Sequence, residues 1–293
     1  MESSESQTME SSAIAPQSVR LSRLPSFRGL AALLRLALRQ QFHGWRPAVL
    51  GLLFLLPGTL AAIIYWSSGP MSFPRSSPAE VLDFGLLFNL IPHALAPLAA
   101  LLCAAGIIRD DVEEQTLTYV LLRPVPRTAI YALKLLAAMV TSSLLTSFFT
   151  VATLLLIAWM TGEPLTAGLW MQGGKIAAIF SMAQVAYCGL FALMALFMRR
   201  ALLVGVVYII FFEGLLASFD TIARRMTVMY YFRALVLRWL EPFSGAAWKF
   251  DLKTAPSSMT CVLSLLGAGL VLTVLGSLIF SVSEFRMKTP EGE

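Results

Sequence analysis

Six stretches of this chain run for roughly 18 residues or more with almost no charge. They are Val49 to Trp66, Phe84 to Ile108, Ala132 to Trp159, Gly173 to Met198, Ala201 to Phe219 and Met259 to Val282. As helices, each is long enough for a hydrocarbon layer about 30 Å thick. A backbone in lipid must satisfy its own N–H and C=O groups, so only helices or a closed barrel can cross it. A barrel would need shorter strands of strict alternation, which none of the six runs shows. The expected fold is all-α and integral to the membrane, with six transmembrane helices. Composition agrees, since 57% of residues are hydrophobic and 13% charged, where a soluble domain carries about 25% charged residues.

Lysine and arginine near the span ends set the expected orientation. Arg20, Arg23, Arg28, Arg35, Arg39 and Arg46 precede the first span. Arg109, Arg123, Arg127 and Lys134 join the second to the third, Arg199 and Arg200 the fourth to the fifth, and Arg286 and Lys288 follow the sixth. The opposite short connections hold only Arg75 and Lys175. The positive-inside rule therefore puts both termini in the cytoplasm. Residues 220–256, assigned outside, run against the rule with Arg224, Arg225, Arg233, Arg238, Lys249 and Lys253; snorkelling of these side chains to the outer headgroups would account for them.

Residues 1–24 are Ser-rich, lack an apolar core and read as a disordered cytoplasmic tail rather than a secretory signal. Residues 26–45 set Arg28, Arg35 and Arg39 near one helical face, and Leu30, Leu33, Leu34, Leu38 and Phe42 largely on the other. That pattern predicts an N-terminal interfacial amphipathic helix along the inner leaflet, with Pro47 turning the chain into span one. The six-span domain then fills 25–288, and 289–293 form a cytoplasmic tail.

Little of the chain resembles catalytic machinery. Cys103, Cys188 and Cys261 fall inside apolar runs without CxxC spacing, as small buried hydrophobes do. His93, beside Pro92 in span two, is expected to be hydrogen-bonded within the bundle. No HExxH, GxSxG or Gly-rich phosphate loop ending in Lys-Ser or Lys-Thr is present. No metal site, resident cofactor or nucleic-acid partner is expected, and energy for work against a gradient has to come from another protein.

The segment 109–131 stands apart. Asp110, Asp111, Glu113 and Glu114 precede the apolar stripe Thr116, Leu117, Val120, Leu121 and Leu122; Pro124 and Pro126 then break the helix, and Thr128 is placed to cap the next. A short acidic helix and a rigid turn are thus attached directly to two spans. The acidic cluster, Thr116-Leu117, Pro124, Arg127 and Lys134, in that order and spacing, resembles the membrane permease subunits of type-2 ATP-binding-cassette (ABC) transporters. Many members place a glycine before the threonine, whereas Gln115 stands here. The resemblance extends to the amphipathic helix, the six spans and an acid in span five.

It implies that Asp110, Asp111, Glu113, Glu114, Thr116, Leu117, Pro124 and Arg127 form the surface on which a cytoplasmic ABC ATPase docks, with ATP and Mg on that partner. It also implies a second permease copy or a paralogous one, an inner-membrane setting and export as the usual direction. Glu213, inside span five, costs on the order of 3 kcal/mol at the bilayer centre, and reads either as a pathway residue or as a polar clamp between helices. The connection 220–256, with Tyr230, Tyr231, Phe232, Trp239 and Trp248, is expected to hold short re-entrant or interfacial helices, or to line the exit for an anionic lipid-like substrate. A rival reading is a stand-alone polytopic assembly or scaffold protein whose acidic segment binds a different cytoplasmic partner.

Overall fold

The structure is a computed structural model and describes residues 27–43, 45–68, 83–113, 126–198, 200–215, 222–240 and 255–282. Among these residues every regular element is helical. In chain order they are α1 (Phe27–His43), α2 (Trp45–Ser68), α3 (Ala96–Glu113), α4 (Arg127–Thr161), α5 (Ala167–Phe197), α6 (Ala201–Tyr208), α7 (Val228–Trp239) and α8 (Ser258–Val282). Two wide π-helical segments are fused to them: Asp83–Leu95 leads into α3, and Ile209–Leu215 continues α6.

Five helices are long and apolar enough to cross a membrane: Pro47–Ser67, Gly85–Ile107, Arg127–Thr161, Ala167–Phe197 and Ser258–Val282. The fifth apolar run is shorter, Ala201–Leu215, and residues 216–221 lie outside the described ones. The outward faces carry Leu52, Phe148, Leu263 and Leu270, all strongly exposed. Water would not tolerate so large an apolar surface, and lipid solvates it. The chain is an all-α integral membrane protein.

α5 is the central post, packed against α8, α4, α3 and α7. Hydrophobic burial gives helices in lipid little reason to associate, so close packing and buried hydrogen bonds hold them. Gly189 of α5 faces Gly269 of α8, where an added Cβ would lie 3.1 Å from the Gly269 carbonyl oxygen. Gly276 makes the same allowance for Tyr131 of α4. On α4 a buried stripe of Thr141, Ser142, Thr146, Thr150 and Thr153 turns inward. Gln184 of α5, wholly buried, donates to Thr146 Oγ1 and to the Ala96 carbonyl, each at 2.9 Å, so one amide joins three spans.

Several boundaries differ from those expected. α4 is 35 residues long and starts at Arg127, with Pro126 at its N-cap; Thr128 lies in the first turn and does not cap it. Its other end stops at Gly162, whose left-handed φ of 75° only glycine adopts without strain. α5 begins at Ala167, so Lys175 sits inside a helix and not in a connection. α1 packs along α4, with Arg35 and Arg39 exposed and Ala37 buried, and Gln41 donates to the Cys103 carbonyl at 3.3 Å. Arg28 belongs to its first turn, but its side chain lies outside the described residues. Cys103, Cys188 and Cys261 are free and buried.

Candidate functional site

α7 is too short to span a bilayer, yet Met229, Tyr230 and every residue from Phe232 to Leu237 are buried. Its first turn exposes backbone N–H groups that no intrahelical carbonyl can accept. Thr227 takes one, accepting from the Tyr230 N–H at 3.3 Å. Glu213, carried on the π-helical segment after α6, takes another, its Oε2 accepting from the Met229 N–H at 3.2 Å. The Tyr208 hydroxyl donates to Oε1 at 3.5 Å. The Tyr187 phenol faces the same carboxylate closely enough to interact electrostatically, outside hydrogen-bond geometry. An anion at a helix N-terminus is favoured by the macrodipole, and charge-assisted hydrogen bonds contribute about 1.5–3 kcal/mol each. Together they reduce the cost of burying the Glu213 carboxyl.

One turn further along α7, Arg233 is 6% exposed, and its Nη2 lies 2.6 Å from His93 Nε2. Guanidinium nitrogens only donate, so Nε2 is the acceptor and the imidazole proton sits on Nδ1. That proton goes to the Asn89 carbonyl at 2.8 Å. His93 is therefore hydrogen-bonded within the bundle, to a partner 140 positions away. It too is carried on a π-helical segment, Asp83–Leu95, which includes Pro92; proline offers no N–H to the helical ladder there. The two π-helical segments touch. Such bulges are frequent at functional sites.

The far end of α7 is anchored as well. Lys175 of α5 donates from Nζ to the Trp239 carbonyl at 3.1 Å, a cation at a helix C-terminus. Arg238 donates to the carbonyls of Ala255 and Pro256 at 3.0 and 2.9 Å. The snorkelling expected of the outer cations thus fails for three of them. Arg224 and Arg233 are buried, and Arg224 lies 5.8 Å from the Tyr230 ring centroid; Arg238 is spent on backbone carbonyls. Buried cations on and just before this helix cost less in desolvation where they meet π faces and acceptors inside. Lys249, Lys253 and Trp248 lie outside the described residues.

Those of the expected docking residues that are described fall at the other end of the bundle. Asp110, Asp111 and Glu113 belong to α3, which continues without interruption from span two; their side chains lie outside the described residues. Glu114, Thr116, Leu117 and Pro124 are themselves outside them. Arg127 is exposed at the start of α4. Close by, Lys134 donates from Nζ to the Ile107 carbonyl at 3.4 Å and so joins α4 to α3. Among the described residues, no cluster of three or more His, Cys, Asp or Glu could hold a metal.

Glu213 and His93 stand out in the sequence as ionisable groups in apolar runs; Arg233 does not. Its signal was its neighbours: Met229, Phe232, Val236 and Leu237 surround it at helical spacing, which marks a buried face and so a buried cation in need of an acceptor.

A family model described as ABC-2 family transporter protein matches residues 46–215, more than half of the chain. No curated protein matches it.

Proposed function

The chain belongs to the ABC-2 family of transporter proteins, a membrane permease component whose ATPase resides on a separate subunit, and on that premise we propose that it is an exporter permease coupled to its ATPase through residues 109–131. In this reading Asp110, Asp111, Glu113, Glu114, Thr116, Leu117, Pro124 and Arg127 make the docking surface, ATP and Mg bind the partner, and two permease subunits, identical or paralogous, enclose the path. Both termini face the cytoplasm of an inner membrane.

The observation that carries the coupling reading is at the α3 to α4 junction. Asp110, Asp111 and Glu113 are carried on α3 beyond the apolar part of span two, on one continuous helix. Acids held rigidly on a spanning helix suit a cationic surface outside the chain, which contributes orientation and specificity. The Lys134 to Ile107 bond ties both helices together just behind these acids, so a load on the segment reaches two spans.

Co-expression with the partner ATPase tests this. Glu113→Lys combined with Glu114→Lys should lower recovery of the ATPase with the permease, and ATP hydrolysis by the pair, by about tenfold or more. An assembled and fully active complex would show that docking lies elsewhere.

A further inference from the structure

We propose that α7 is a clasp that holds span two to span five at the end of the bundle opposite Arg127. One arm is Arg233 to His93, and the other is the α7 N-terminus to Glu213. Neither anchor residue bonds the other directly, and α7 bridges them. Each anchor lies on a π-helical segment, and the two segments meet. The same helix is pinned at its C-terminus to α5 through Lys175. It is therefore braced on the central post while it grips two spans that have separate routes through the bundle.

Both arms have the chemistry of a catch. Arg233 donates to a neutral imidazole, so separation costs one buried, charge-assisted hydrogen bond. Glu213 completes the first turn of α7, so its withdrawal strips acceptors from helix donors and uncovers a carboxylate. Breaking either arm loosens the helix that holds the other. The two arms are coupled through one rigid element, the physical requirement for a two-state device. Under the permease function proposed above, release of this clasp is the opening step at that end of the path.

The test uses the full chain in lipid nanodiscs without any ATPase, so its outcome is independent of the docking proposal. Ala234, wholly buried on α7, is replaced in Ala234→Cys, and the rate of labelling by a membrane-impermeant maleimide is read site by site by mass spectrometry. Buried Cys188 in the same molecule reports general unfolding. His93→Leu and Glu213→Leu should each raise labelling at position 234 about tenfold, as local opening without global unfolding does, with Cys188 unchanged. His93→Asn, which restores an acceptor for Arg233, should return labelling towards the starting rate. Unchanged labelling at 234, an equal rise at 234 and Cys188, or no difference between His93→Asn and His93→Leu would each overturn the clasp. Loss of the docking result with this one intact would leave the clasp standing and remove the coupling assignment.

Discussion

Gly276 shows how little room single residues leave in this bundle. A Cβ there would meet the Tyr131 hydroxyl, and the Tyr131 ring stacks on Phe280 with centroids 5.8 Å apart. Gly276→Val should therefore force α8 away from α4 and cost about 1–3 kcal/mol by overpacking, seen as a lowered melting temperature in detergent. Gly267 has open space around it, so Gly267→Ala should leave the melting curve in place. Equal shifts for both variants would mean that the α4 to α8 contact is looser than described. Such pairings are invisible in the sequence. Glycine counts are easy to read, but which glycine meets which aromatic ring depends on the rotation of two helices. The same applies to His93 and Arg233: each announces a need for a partner, and neither names it.

At the scale of elements, the sequence exposes what the solvent demands. Five of the six apolar runs form helices of spanning length because lipid leaves about 20 apolar residues no other choice. The N-terminal amphipathic pattern likewise becomes α1, with Arg35 and Arg39 on an exposed face. What local pattern could not supply is the shape of Asp83–Leu95, since a run that is apolar on nearly every side carries no mark of where the ladder widens to i→i+5 bonding. Pro92 is the local cue, for it withholds one N–H from the ladder. Pro92→Ala restores that donor. The ladder should then close towards α-helical geometry, turn His93 away from Arg233 and raise labelling at Ala234→Cys severalfold. An unaltered rate would show that packing by α7, and not the missing donor, holds the wide turn.

For the whole molecule, the exposed apolar surface fits lipid, and the family match implies an ABC ATPase partner. Native mass spectrometry of the co-expressed complex should give two permease-sized chains with two ATPase chains, and an isolated permease chain with full transport activity would contradict this. Membrane residence and the permease class were legible early, since both rest on patterns that run along the chain. The polar network around α7 was not, since it is assembled from spans two, four and five and the segment that follows. One further consequence comes from the length of α4. At 35 residues it is a rod about 52 Å long, beside a hydrocarbon layer of about 30 Å. A tilt of about 10° carries one end of such a rod about 9 Å sideways relative to the other. A modest angular change has a large mechanical gain at the tips, and the motion at Arg127 need not be relayed contact by contact to be felt near Thr161.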